Sequence, residues 1–92
     1  MAKPSDEKSS GLMHFLSQEV RQRYYADLLL ERAEAAGQGK PAPIASFNLF
    51  DVSFGLEDVV IKHRYVEDEI PVRLSRRDFI TALQRWRADL ES

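Results

Sequence analysis

Residues 70–86 read Ile-Pro-Val-Arg-Leu-Ser-Arg-Arg-Asp-Phe-Ile-Thr-Ala-Leu-Gln-Arg-Trp, and the hydrophobic period changes partway along them. Up to Leu74 the period is two. Ile70, Val72 and Leu74 fall on one side of an extended chain and Arg73 on the other. Beyond Ser75 the period is helical, with Phe79, Leu83, Trp86 and Leu90 making one face. Ser75 is placed to cap the helix. Asp78 stands at the capping-box position, where Glu or Gln is more usual, and Leu74 and Phe79 have hydrophobic-staple spacing. Pro71 lacks a backbone donor and so suits an edge strand. A strand that runs into a capped helix predicts a mixed fold, and the sequence on either side of this stretch decides which kind.

Upstream, residues 44–74 hold β-branched and aromatic residues in short runs divided by turn signals. In the run 58–66, Val59, Ile61 and Tyr65 alternate with Asp58, Lys62 and Arg64. It ends in the turn Glu67-Asp68-Glu69. In the run 45–54, Phe47 and Leu49 share one parity while Phe50, Val52 and Phe54 share the other. A bulge near 49–50 is the expected reconciliation, and Gly55 makes the following turn. Short loops favour an antiparallel meander.

Further back, Leu12, Leu16, Val20, Tyr24 and Leu28 recur every four residues, and Phe15, Tyr25 and Leu29 widen the stripe. This predicts a helix over 11–36, with Ser10 or Ser17 as alternative caps and Gly37 as the C′ residue. Gly39, Pro41 and Pro43 stop it. Residues 1–10 are polar and read as a disordered tail. The expectation is an α+β fold: a two-layer α-β-β-β-α domain over 11–92, with a three-stranded antiparallel sheet and two helices on one face.

Ninety-two residues make one small domain, without room for a separate cofactor domain. Zero cysteines exclude disulfides, a thiol nucleophile and thiolate metal sites. His14 and His63 have no partner at metal-ligand spacing, and no glycine-rich phosphate loop occurs. Ser46, Ser53 and Ser75 lack a nucleophile-elbow context. No catalytic, metal or cofactor constellation is therefore expected, and binding is favoured over chemistry. The N-terminus has no apolar signal region, and no apolar run approaches the length of a bilayer span. The expected location is the cytoplasm, with no membrane partner.

Charge is distributed unevenly. Thirteen Lys and Arg face fifteen Asp and Glu, and the acidic excess lies in residues 41–70. There, Asp51, Glu57, Asp58, Glu67, Asp68 and Glu69 outnumber Lys62 and Arg64. These six carboxylates are the candidate partner-binding residues. If the strand-end turns come together, they form an anionic surface that steers a cationic protein. The opposing reading is an ordinary solvated rim. Arg73, Arg76, Arg77, Arg85 and Arg87 invite a nucleic-acid reading. The net charge of −2 argues against it, as does the place of Trp86 on the apolar helix face. Arg76 and Arg77 sit against the helix dipole, which marks either a functional anion or partner contact or an accommodation of Asp78.

The order Phe47-Asn-Leu-Phe-Asp-Val-Ser-Phe, Val59-Val-Ile and Pro71-Val-Arg-Leu-Ser-Arg-Arg-Asp-Phe-Ile-x-x-Leu-x-x-Trp resembles small immunity proteins of bacterial contact-dependent growth inhibition systems. The likeness covers under half of the chain. It implies a cytoplasmic protein that binds the toxin domain of a cognate secreted effector, often a nuclease with a basic cleft, and blocks it stoichiometrically. It lies in core-like positions, so it assigns no binding residues. Two other classes stay open. One is an adaptor, secretion chaperone or homodimeric interaction module. The other is a nucleic-acid-binding regulator using the arginine-rich helix.

Overall fold

The computed structural model describes residues 4–66 and 68–91. Three helices, α1 (Pro4–Glu19), α2 (Arg23–Gly37) and α3 (Arg76–Glu91), accompany four strands. The strands are β1 (Ala45–Ser46), β2 (Phe50–Phe54), β3 (Asp58–His63) and β4 (Val72–Ser75). They form one antiparallel sheet in the order β1-β2-β3-β4, so the meander and the α+β class are as expected.

Two features add a strand and a helix to the expected architecture. The first is the parity change near 49–50, which is a reversal of the chain and not a bulge. Phe47 N–H donates to the Phe50 carbonyl at 2.8 Å. Ala45 then faces Val52, and Ser46 faces Asp51. Residues opposite one another in an antiparallel pair share a face. A reversal therefore switches parity and still keeps Ala45, Phe50 and Val52 inward.

The second feature is a break at Val20-Arg21-Gln22, where Gln22 is extended (φ −129°, ψ 147°). At about 100° per residue, a strict every-four repeat drifts about 160° between Leu12 and Leu28. One straight helix cannot bury both ends of such a stripe. The chain breaks instead. Leu12, Phe15, Leu16 and Val20 are buried on one side of the break, and Ala26, Leu29, Ala33 and Ala36 on the other. Tyr24 is left exposed.

Helix α1 also begins at Pro4, inside the stretch expected as a disordered tail. Proline suits the first helical turn because its missing N–H has no intrahelical partner there. Residues 1–3 lie outside the described residues. At the far end of α2 the positive φ belongs to Gly39 (74°), not to Gly37. Lys40 N–H reaches the Ala35 carbonyl at 2.9 Å, and Gly39 N–H reaches the Ala36 carbonyl at 3.1 Å. This is the double closure of a Schellman motif with Gly39 at C′.

One row of side chains crosses all four strands: Ala45, Val52, Ile61 and Val72. With Phe50 and Val59 it faces Phe15, Leu16, Leu29, Phe79 and Leu83 in a single core. The opposite sheet face carries Ser46, Asp51, Ser53, Lys62 and Arg73, and is polar apart from Val60. Helix α1 docks closely on β4. A Cβ placed at Gly11 would lie 2.5 Å from Val72 Cγ2.

Strand β4 passes into α3 with no intervening residue, and Ser75 Oγ accepts the Asp78 N–H at 3.0 Å, as its capping position implies. Trp86 packs against the core and donates from Nε1 to the Val20 carbonyl at 2.6 Å. Arg76, oddly placed for the dipole of its own helix, donates from Nε to the Leu56 carbonyl at 3.2 Å. Its guanidinium occupies the space a Cβ on Gly37 would fill. That site is the C-terminal end of α2, where a cation is favoured.

Candidate interaction surface

The β1–β2 turn, the connection from β3 to β4 and the α1–α2 break meet at one end of the molecule. Several bonds build this end. Glu19 Oε2 accepts the Asn48 N–H at 2.9 Å, so the last residue of α1 holds the hairpin tip. Arg64, one residue past β3, grips the same tip twice. Its N–H donates to the Leu49 carbonyl at 2.8 Å, and its Nη1 donates to the Phe47 carbonyl at 2.9 Å. Its guanidinium also lies 3.6 Å from Asp51 and over the Tyr65 ring, 5.6 Å from the centroid.

His63, the last residue of β3, turns inward opposite Phe50. Its Nδ1 accepts two backbone N–H groups, from Tyr65 at 3.1 Å and from Val66 at 3.2 Å. A series of edge-to-face rings then runs through this end: Tyr24, Tyr25, Phe47, Phe15, Phe50, His63 and Tyr65, with successive centroids 5.1 to 6.5 Å apart. Phe15 and Phe50 are buried, while both terminal members are open to solvent, Tyr24 at 67% and Tyr65 at 68%. Val66, next along the chain, is also exposed, and Ile70, which lines a cleft with His63, is exposed at 87%. Asp68 and Glu69 stand exposed between these two apolar residues.

The six candidate carboxylates do not form one surface. Glu57 precedes β3 and Asp58 opens it, whereas Asp68 and Glu69 follow it. The five residue steps of β3 separate the two groups by about 17 Å. Asp58 is 3.8 Å from Arg73, and Asp51 is paired with Arg64 on the polar sheet face, with its Oδ1 buried and without a hydrogen bond. Glu67 lies outside the described residues. Asp68 and Glu69 are exposed between Val66 and Ile70, while Glu57 and Asp58 are exposed beside Leu56, itself 64% exposed.

Comparison with family models, curated proteins and solved structures returns no match. Among the described residues, no group of three or more His, Asp or Glu is placed to hold a metal ion. No helix there is long and apolar enough to cross a membrane.

Chemically, this end offers what protein interfaces use: rigid aromatic and aliphatic contacts ringed by charge. The roles of His63 and Arg64 have no signature in the sequence, because both act on backbone atoms that the fold brings near. Tyr65 and Ile70 share the parity of the inward strand residues in the sequence, but β3 ends at His63 and β4 begins at Val72, which leaves both in the connection and exposed.

Proposed function

We propose that this chain is a protein-binding module, and not an enzyme, whose contact surface is the end carrying Tyr24, Tyr65, Val66 and Ile70 beside Asp68 and Glu69. In the finer reading it neutralises a cognate toxin acting in the cytoplasm, by one-to-one blockade. The observation that carries the proposal is the exposure of those apolar side chains, with the Tyr65 and Val66 amides tied to His63 and the neighbouring hairpin tip held by Arg64 and Glu19. Pre-positioned aromatic contacts lower the ordering cost of association. The adjacent carboxylates favour a basic partner and set its approach. The resemblance to immunity proteins supplies the toxin.

The nucleic-acid reading draws less support. Arg73 and Arg87 lie against Asp58 and Asp27, Arg76 is engaged between α2 and the β2–β3 turn, and Trp86 serves the core. Affinity capture from the source cell, with bait in excess, tests the proposal. The expected result is one basic protein retained near one-to-one, lethal when expressed alone and rescued by co-expression of the wild-type chain. The Tyr65→Ala/Ile70→Asp variant is expected to lose both retention and rescue. Retention of nucleic acid, or of this chain alone, overturns the proposal. So does equal capture by the variant.

A further inference from the structure

We propose that His63 is a protonation-sensitive latch which fixes Tyr65 and Val66 only while its ring is neutral. The geometry carries the inference. Both donors are backbone N–H groups, and both converge on one atom, Nδ1, at 3.1 and 3.2 Å. An imidazole nitrogen accepts a hydrogen bond only through its bare lone pair, so the proton of the neutral ring sits on Nε2. A second proton turns Nδ1 into a donor facing two donors. Both bonds are then lost together, and the two amides must find water. Tyr65 retains its guanidinium contact with Arg64, but the backbone at 65–66 is no longer tied to the end of β3.

The ring is positioned for such a change. It packs edge-on against Phe50 at 5.1 Å and opens onto a cleft of about 350 Å³ between α1 and the sheet. The titratable and charged groups facing it there are His14 from α1 and Glu69 from the β3–β4 connection. Arg64 stands next along the chain, its guanidinium drawn toward Asp51 and Tyr65. Lys62 projects from the other sheet face. The effect on partner affinity rests on the contact surface proposed above: acidification loosens Tyr65 and Val66 and weakens binding.

Amide hydrogen exchange on the whole chain tests the latch, with the His63 ring resonances followed by NMR across the same pH series. After correction for intrinsic exchange, the Tyr65 and Val66 amides should lose about tenfold or more of their protection as the His63 ring protonates. His63→Phe keeps a ring against Phe50 without an acceptor, and its two amides should be unprotected at every pH. His63→Asn places Oδ1 where Nδ1 stands and cannot titrate, and its amides should stay protected throughout. The transition should survive His14→Gln. Protection that is unchanged across the His63 titration overturns the latch, as does wild-type protection in His63→Phe. Partner affinity is read separately. A latch that titrates normally while Tyr65→Ala leaves binding unchanged overturns the contact surface and keeps the latch.

Discussion

Ser75 is both the last residue of β4 and the cap of α3, and its hydroxyl takes up one of the helix's orphan N–H groups. Ser75→Ala removes that acceptor, and a loss of about 1 kcal/mol is expected in urea unfolding. Trp86→Phe probes a second single bond. The ring volume is largely kept, but the Val20 carbonyl loses its donor at the α1–α2 break. A carbonyl left without a partner there is expected to cost about 1–2 kcal/mol, and unchanged stability would show that water replaces the indole. The two residues differ in how far the sequence revealed them. The cap was legible because the partners are three residues apart. The Trp86–Val20 bond was not, because its partners lie far apart in the chain and the acceptor is a backbone atom.

At the scale of elements, close approach decides more than propensity. Gly11 lies inside α1, where alanine would ordinarily gain about 1 kcal/mol of helix propensity. Val72 occupies the space its methyl would need, and a β-branched side chain has few rotamers with which to yield. Overpacking of this kind costs about 1–3 kcal/mol. Gly11→Ala should therefore destabilise the domain by about 1 kcal/mol net. In a Val72→Ala background the same substitution should become neutral or stabilising. A double-mutant cycle in denaturant measures the difference, and simple additivity would show that α1 shifts without loss. The elements themselves were largely readable. The strand-to-helix switch at Ser75, the meander and the edge position of β4 all follow from local pattern. What escaped was phase. An every-four repeat looks like one helix until its drift is followed to Leu28, and a parity change looks like a bulge until a hairpin is considered.

Across the whole molecule, the exposed carboxylates fall at both ends of β3, each group next to exposed apolar residues. The acidic bias of residues 41–70 was visible in the sequence. Its division between the two ends of β3 is a point the charge count leaves open, although the two acidic groups flank one strand and so fall at its opposite ends in any strand order. Reversal of Asp68 and Glu69 to Lys should slow association with a basic partner and flatten its dependence on salt. Folding stability should stay within about 0.5 kcal/mol of wild type, as for other exposed substitutions. Reversal of Glu57 alone should leave association unchanged, and an equal effect from both ends would return the contact to a distributed anionic field. This contrast separates the apolar-acidic end from the solvated rim.

The indole that closes on Val20 is also the only tryptophan in the chain. Its emission therefore comes from a single, half-buried site at the junction that precedes Tyr24. The molecule carries its own optical reporter. Opening of that junction, or a partner pressing on the tyrosines next to it, should shift the colour or intensity of its fluorescence without any introduced label. The Tyr24 and Tyr25 phenols can feed excitation to the same indole. A stopped-flow record of that signal would follow docking in real time on the unaltered protein.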